Sequence, residues 1–507
     1  MLKNVMIVGY GPHAQKNHTP ALLDARAHGK VGTIVAIDIA AAREQIASFT
    51  ELLGGGIRTV YVDDFDAELR ELPQAVVQVL DGVVEAERID GVIVATEPSF
   101  HVAYARWAIR RGISVLIDKP LSIHANSSID PAAAAAIHED FEALATLYIQ
   151  ERSIHPDLFV GVHTQRRYHP AFKLMRSLIT EVAGDTNCPV TSVQSYHSDG
   201  QWRMPDELID ITYHSFERGY GKAAHSGYHF FDIVPWLIEA GETDEKRLDQ
   251  VEVFANVTRP ADLLTQISVS DYQRLFPEFP RVQRYSADIL TRATAEFGEV
   301  DAFISAAFKS RGRTVTLASI NLLHNGISQR GSEQPNTSDL YKGNGRVRHE
   351  THIISQGPFQ ALHLQAFQSL DKSVSESGNG GVSVRDHIVL QVFRNNHFKR
   401  EWKKTEVFDY DGILANDEDM RKESLQAVSR RKTVDEFLLY LNGRRSREHM
   451  ASELTTHRRG SVLMAGVYLS AARQWTGETA TAVLDFHREF PVVAESGADL
   501  SASFIRA

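Results

Sequence analysis

Two histidines, His225 and His229, stand four residues apart in the stretch RGYGKAAHSGYHFFD, Arg218 to Asp232, ahead of an apolar run through Ile233, Val234, Trp236 and Leu237. In a helix, positions i and i+4 share a face one turn apart, so both imidazoles would project into the same space. An unperturbed imidazole titrates near ~6.5, which makes such a pair a candidate acid or base at neutral pH. The chain holds 22 histidines, so coincidence is the competing explanation, and the surrounding elements must decide. A metal held by the pair is not expected, because no H-E-x-x-H pattern or nearby carboxylate cluster accompanies it.

Those elements begin at the N-terminus. Val5 to Val8 is a continuous apolar and β-branched run, as a strand buried on both faces should be, and it ends in Gly9-Tyr10-Gly11-Pro12-His13-Ala14. This is G-x-G-x-x-A: one glycine for the tight turn, one for close approach of a pyrophosphate, and a small residue for close helix packing. A second strand, Thr33 to Ile37, closes on Asp38, 24 residues after Ala14. A carboxylate there accepts hydrogen bonds from ribose hydroxyls and repels a 2′-phosphate, so NAD is favoured over NADP. Arg43 softens that preference. The alternation continues with a helix over Ala40 to Leu53, strands at Thr59 to Val62 and Gly91 to Ala95, a helix opening at Thr96-Glu97-Pro98-Ser99-Phe100-His101, and a strand Ser114 to Ile117 closed by Asp118-Lys119-Pro120. Strands and helices at this spacing imply a doubly wound parallel sheet with ligands at the carboxyl ends of its strands. Gly9, Asp38, Thr96 and Lys119 all fall on that one edge.

Taken together, these pieces resemble the Gfo/Idh/MocA oxidoreductases, a family named for glucose-fructose oxidoreductase, inositol dehydrogenase and a rhizopine-catabolism protein. The matching segments are GYGPHA, the strand-end Asp38, VIVATEPSFH, VLIDKP, VGVHTQRRYHP and HSGYHFFD, in that order from Val5 to Asp232. The resemblance implies a Rossmann domain followed by an α/β domain with a large, open, mostly antiparallel sheet, a sugar-like or cyclitol-like substrate, and homo-oligomers, dimer or tetramer, packed through that sheet. It implies cofactor contacts at Gly9, Gly11, Pro12, His13 and Asp38. Further contacts follow at Thr96, Pro98, His101, Asp118, Lys119 and Pro120, the last usually preceded by a cis peptide bond. Asp118 replaces the family's glutamate.

By the same resemblance, His229 is the proton acceptor and Lys119 touches both nicotinamide and the substrate hydroxyl. His225 stands in place of the family's aspartate, and two adjacent imidazoles cannot both be cationic cheaply. It is read as orienting His229 through a neutral nitrogen, with a packing substitution as the alternative. Arg167 is the better match to the family arginine, as a substrate contact or interdomain brace, while Arg166 is as readily a surface charge. Tyr196, His197, Asp199 and Trp202 follow a strand and are candidates to line the substrate cleft.

With 507 residues, 43% hydrophobic and 23% charged, the chain accommodates several cores. We expect a Rossmann domain over 1–164 and a substrate and oligomerisation domain over 165–507, with an insertion near 259–293 that forms a lid or oligomer contact. Strands are expected over 190–200, 251–257, 302–308, 314–320, 349–354 and 387–393, loops over 325–346 and 372–383, and helices around Phe437 and Val462. Asp130 and Pro131 read as the cap and first residue of a helix carrying Ile137, Phe141, Leu144 and Tyr148 on its buried face. The net charge of −11 and the absence of a Lys/Arg-rich run argue against nucleic acid and an anionic membrane surface as partners. One cysteine, Cys188, no signal-peptide pattern and no apolar stretch of membrane-spanning length point to a cytoplasmic protein. The expected activity is NAD-dependent oxidation or reduction at a secondary alcohol of a sugar, sugar derivative or cyclitol. A glycosidase that uses NAD transiently and a non-catalytic regulator are the alternatives within the same resemblance.

Overall fold

In the computed structural model, the described residues are 2–52, 56–212, 214–328, 330, 346–369, 387–414 and 425–486. Six parallel strands build the first sheet: β1 (Lys3–Val8), β2 (Val31–Ile39), β3 (Arg58–Val62), β4 (Gly91–Val94), β5 (Ser114–Asp118) and β6 (Val160–His163), in spatial order β3-β2-β1-β4-β5-β6. The apolar runs explain the order's interior. Val5 to Val8, Val92 to Val94 and Val115 to Ile117 are at most 2% exposed, as strands covered by helices on both faces require. The expected helix at Pro131–Arg152 is capped as the sequence implies, with the Asp130 carboxylate accepting from Ala132 N at 2.8 Å. Its stripe of Ile137, Phe141, Leu144 and Tyr148 is buried. Each such side chain contributes about 1.5–3 kcal/mol of burial.

Nine strands form the second sheet: β7 (Ser192–Gln201), β8 (Gln250–Thr258), β9 (Asp301–Ser310), β10 (Arg313–Asn325), β11 (Val347–Gln356), β12 (Gln360–Ser369), β13 (His387–Arg394), β14 (Thr405–Phe408) and β15 (Ala482–Asp485). Their order is β14-β13-β12-β11-β7-β10-β9-β8-β15, antiparallel at every pairing except β10 with β7. All six expected strands of this sheet are present. Strands β12, β14 and β15 were not anticipated, although β12, QALHLQAFQS, alternates as half-buried strands do and follows the turn residues Gly357-Pro358.

Residues 259–293 form four short helices, Pro260–Gln266, Val269–Leu275, Phe279–Val282 and Ala287–Ala293. They have a small core of their own in which Val269, Tyr272, Phe276, Phe279 and Leu290 close over Met204. The chain also returns to the first sheet: in helix Leu425–Leu441, Val434, Phe437 and Leu438 join the core under β1, β2 and β4. An added Cβ on Gly91 would meet Leu441 at 2.7 Å, so the helix sits directly on the strand. The expected loop at 372–383 and most of that at 325–346 lie outside the described residues. No helix among the described residues is long and apolar enough to cross a membrane.

Candidate active site

The carboxyl edge of the first sheet carries the residues the sequence placed there. Gly9 has φ +84, and an added Cβ would lie 2.5 Å from the Thr96 backbone nitrogen, so only glycine lets the turn after β1 pass the turn after β4. A Cβ on Gly11 would meet nothing within 4 Å. That open space in front of the helix Pro12–Asn17 is what a pyrophosphate needs. Asp38 ends β2 with its carboxylate accepting from Tyr10 N at 2.6 Å and Ile39 N at 2.7 Å. Burial nonetheless raises its carboxyl above the ordinary value. Two backbone donors fix the group in place and leave oxygen lone pairs for ribose hydroxyls. Arg43 lies over the Tyr61 ring, 4.3 Å from its centroid. These residues fit a dinucleotide.

Lys119 follows β5, and the Lys119–Pro120 peptide is cis as expected. Its ammonium donates to the carbonyl of His225 across 106 residues of sequence, joining the nucleotide edge to the histidine segment. Burial lowers its pKa to about 8, Asp118 opposing and Arg430 assisting the shift. The histidine segment is not one continuous α-helix. Ala223–Gly227 is a π-helical turn that runs into helix Tyr228–Glu239, a local widening often found at functional sites. His229 Nδ1 is buried with no hydrogen-bond partner among the described residues. Burial holds its imidazole well below the usual value, and the charges of Arg166, Lys119 and Arg430 push the same way. His229 is therefore a neutral imidazole at physiological pH, with a nitrogen that the fold does not satisfy. Nδ1 is the enclosed nitrogen of a partly exposed ring, so a ligand would meet the imidazole at Nε2.

His225 behaves differently from its expected role. Its ring stacks on His214, with centroids 4.4 Å apart, and contacts the rings of Phe216 and Tyr220. Burial, with Lys119 adding repulsion, lowers its pKa to about 3. No bond joins it to His229 among the described residues; its backbone carbonyl, rather than its ring, meets the expected site. The nearest carboxylate acting on it is Asp199, at the end of β7, which pairs with Lys222 at 2.6 Å and accepts from Ser226 at 3.2 Å. Lys222, only 1% exposed and lowered to about 8 by burial, is a site residue that sequence reading passed over.

Several other expected contacts are turned elsewhere. His101 is 1% exposed, with its ring nitrogens 2.8 Å from the Pro120 carbonyl and 3.0 Å from the Thr96 carbonyl. It braces two strand-end turns from below instead of facing a cofactor. Asp118 points its carboxylate among three imidazoles, with His18 Nε2 at 3.1 Å, His13 Nε2 at 3.4 Å and His163 Nδ1 at 3.5 Å. Burial would raise this carboxyl, but His18, His13 and His163 hold it well below the usual range. Strand register produces the grouping, because Asp118 and His163 are paired neighbours on β5 and β6. His13, Asp118 and His163 bring ligand atoms within 4.8 Å of one another, a spacing that could hold a metal ion and that residue intervals of 105 and 45 concealed. Pro98 opens the 3-10 turn before His101, as its place in the motif implied.

Of its two expected roles Arg167 takes the bracing one, and Arg166, 7% exposed, is not a surface charge. Arg167 is 2% exposed and forks onto Asp232, Nε to Oδ1 at 3.0 Å and Nη2 to Oδ1 at 2.6 Å, with further bonds to the Ala451 and Thr456 carbonyls. It is a brace, its donors consumed by protein. Arg166 faces the cleft instead, paired with Glu350 at 2.6 Å and 2.9 Å and lying 4.4 Å over the Phe230 ring. Tyr196 belongs to the outer face of β7, next to exposed Gln194, against His349. The alternation of the strand turns His197 and Asp199 inward and Tyr196 outward. Trp202 packs on Phe276 and donates to the Tyr272 hydroxyl at 3.1 Å, so it belongs to the core of the inserted helices.

Comparison with known proteins gives the following. Residues 3–141 match the model of an oxidoreductase family with an NAD-binding Rossmann fold. No curated protein matches the chain. Among solved structures, the chain is similar to the WlbA dehydrogenase from Bordetella pertussis in complex with NADH and UDP-GlcNAcA, at 13% identity and TM-score 0.54, covering 96% of this chain and 99% of that one. It is similar to a levoglucosan dehydrogenase in complex with NADH and levoglucosan, at 11% identity and TM-score 0.52, covering 96% and 100%. An oxidoreductase from Agrobacterium radiobacter in complex with NAD+, L-tartaric acid and magnesium matches at 13% identity and TM-score 0.52, over 96% and 99%. At these identities the likeness to the solved structures is one of fold.

Proposed function

We propose that this chain, whose residues 3–141 match the NAD-binding Rossmann model of the Gfo/Idh/MocA oxidoreductases, is an NAD-dependent oxidoreductase acting on a secondary alcohol of a sugar, sugar derivative or cyclitol. The observation that carries the reading is His229: a neutral, partly exposed imidazole one helical turn from the carbonyl that Lys119 holds, with its Nδ1 enclosed and without a partner among the described residues. His229 accepts the proton of the substrate hydroxyl, and the Lys119 ammonium holds the oxygen as that proton leaves. Nicotinamide, when bound, supplies the hydride acceptor. Gly9, Gly11 and Asp38 hold the dinucleotide, and the carboxylate of Asp38 favours NAD over NADP. Lys222 and Asp199 keep the floor of the site charged and fixed. Relatives of this fold that hold NADH with a sugar or sugar nucleotide favour a substrate of that class.

The test is His229→Asn, which keeps a polar group but removes the base. Turnover should fall by about 10²–10³-fold, with NAD affinity unchanged. Full activity in His229→Asn sinks the assignment of the proton acceptor.

The domain division proposed is 1–164 for nucleotide binding and 165–507 for substrate and assembly, with helix Leu425–Leu441 returning to brace the first. We further propose that two copies associate through the outer face of the second sheet. Leu317 on β10 is 60% exposed there, Phe303 on β9 49% and Val483 on β15 53%, with Phe254 on the intervening β8 at 38%, apolar surface that a lone chain would leave wet. Leu317→Glu is expected to shift the protein to monomer in sedimentation or light scattering; an unchanged mass removes this face as the interface. The single Cys188, unable to form a disulfide within the chain, supports a reducing cytoplasm as the compartment.

A further inference from the structure

Three charged side chains alternate along the start of β11 and the residue just before it, Arg346, Arg348 and Glu350. Arg346 pairs with Asp199 at 2.7 Å, and Glu350 with Arg166 at 2.6 Å. Among the described residues Arg348 has no such partner. Among the described residues its hydrogen bonds go to two neutral amide oxygens, of Gln426 at 2.7 Å and Gln368 at 3.3 Å, and its Nε is buried without any. A guanidinium with an enclosed Nε and only neutral amide acceptors leaves its charge for an anion to meet, where proteins ordinarily set a carboxylate. The neighbouring anion is already shared, since Asp199 serves both Arg346 and Lys222.

Arg348 and Arg166 line a cleft of about 650 Å³, its solvent-open part included, between the inner face of β11 to β13, the turn Gln165–Tyr168 and helix Leu425–Leu441. The cleft adjoins the proposed site, because Arg166, one of its walls, is also the strongest charge acting on His229. We propose that the cleft beside His229 binds an anionic oxygen group of the substrate, a carboxylate or a phosphate, through Arg348, so that the substrate is an acidic sugar derivative rather than a neutral polyol. Burial, with Arg346 adding repulsion, lowers the Arg348 guanidinium to about 9, the direction that a bound anion would reverse. A guanidinium presents a fork that matches both oxyanions.

This inference rests on the proposed site and narrows its substrate, and its test reads binding, without turnover. The NAD-loaded full chain is titrated calorimetrically with D-glucuronate, D-glucose 6-phosphate and D-glucose. At least one acidic probe should bind roughly tenfold or more tightly than D-glucose, and the preferred probe identifies carboxylate or phosphate. Arg348→Met, of similar length but uncharged, should lose that margin, while Arg348→Lys retains part of it and all three proteins bind NAD equally. D-glucose binding as tightly as the acidic probes, no acidic probe binding, or the margin surviving in Arg348→Met overturns the proposal. If Arg348-dependent binding is found and NADH never forms, the anion site stands and the hydride-transfer reading fails.

Discussion

Lys119→Ala is expected to reduce turnover by about 10³-fold while leaving NAD binding intact, the size of effect seen when one fixed donor to a developing oxyanion is removed. The expectation follows from where the ammonium sits. It bridges the end of β5 to the carbonyl of His225, so it is fixed before substrate arrives and pays no ordering cost during reaction. A pH dependence follows with a definite sign. Burial lowers the Lys119 pKa to about 8, so the cation is present below about pH 8 and lost above it. The oxidation measured as kcat/KM should fall on the alkaline side with a midpoint near that value, and the limb should vanish in Lys119→Ala. His229, held well below the ordinary imidazole value, is already neutral at pH 7. Its acid limb therefore lies below ~6.5. A rate that climbs steadily to pH 10 would remove Lys119 from the proposed role.

Arg167→Ala is expected to destabilise the fold by about 3–5 kcal/mol, because it strands a buried carboxylate. Asp232 is 1% exposed, and its charge is held by Arg167 and by His457 Nδ1 at 2.9 Å. Burial would raise the Asp232 carboxyl, but Arg167 and His457 hold it well below the ordinary range. A depressed folded pKa gives stability that is present above the unfolded value, ~3.9, and lost as pH falls toward the folded one. The difference between wild type and Arg167→Ala in urea unfolding should thus be large at pH 7 and shrink as pH falls below about 4. In Arg167→Ala/Asp232→Ala the loss should be smaller than in Arg167→Ala, since no charge is then left behind. A single variant as stable as wild type would mean that the pair is not a brace. Arg167 also ties the turn before helix Pro170–Thr186 to the Ala451 and Thr456 carbonyls, so its loss should loosen that turn from the segment 451–456.

The nucleotide edge was legible because its signals are local. A strand, a glycine turn and a strand-end carboxylate lie within forty residues, and the positive φ of Gly9 belongs to that turn. The antiparallel sheet was legible in six of its strands for the same reason, through alternation. What the sequence concealed depends on register and on which way a side chain turns. Arg166 and Arg167 are consecutive on a single 3-10 turn, and only the packing of Asp232 and His457 on one side and Glu350 on the other assigns one to bracing and the other to the cleft. Tyr196 and His197 divide by the same rule, since a strand sends neighbours to opposite faces. Asp118 looked like a shortened glutamate; the pairing of β5 with β6 gives it His163, and the helices after β1 give it His13 and His18. His225 occupied the expected aspartate position, yet its ring found His214, a residue that no local pattern marked. Arg348 stood out in no motif, and its importance appears only when the partners of its neighbours on β11 are counted.

The most direct measurement of the central claim is a screen of neutral and acidic sugars, sugar derivatives and inositols with NAD and the full chain, followed by nicotinamide absorbance and repeated with Lys119→Ala and His229→Asn. The account predicts NADH formation with at least one of these alcohols, its near-complete loss in both variants, and unchanged NAD affinity in all three proteins. Reduction at the wild-type rate in either variant would contradict it, as would a protein that binds NAD and never reduces it with any alcohol of the panel.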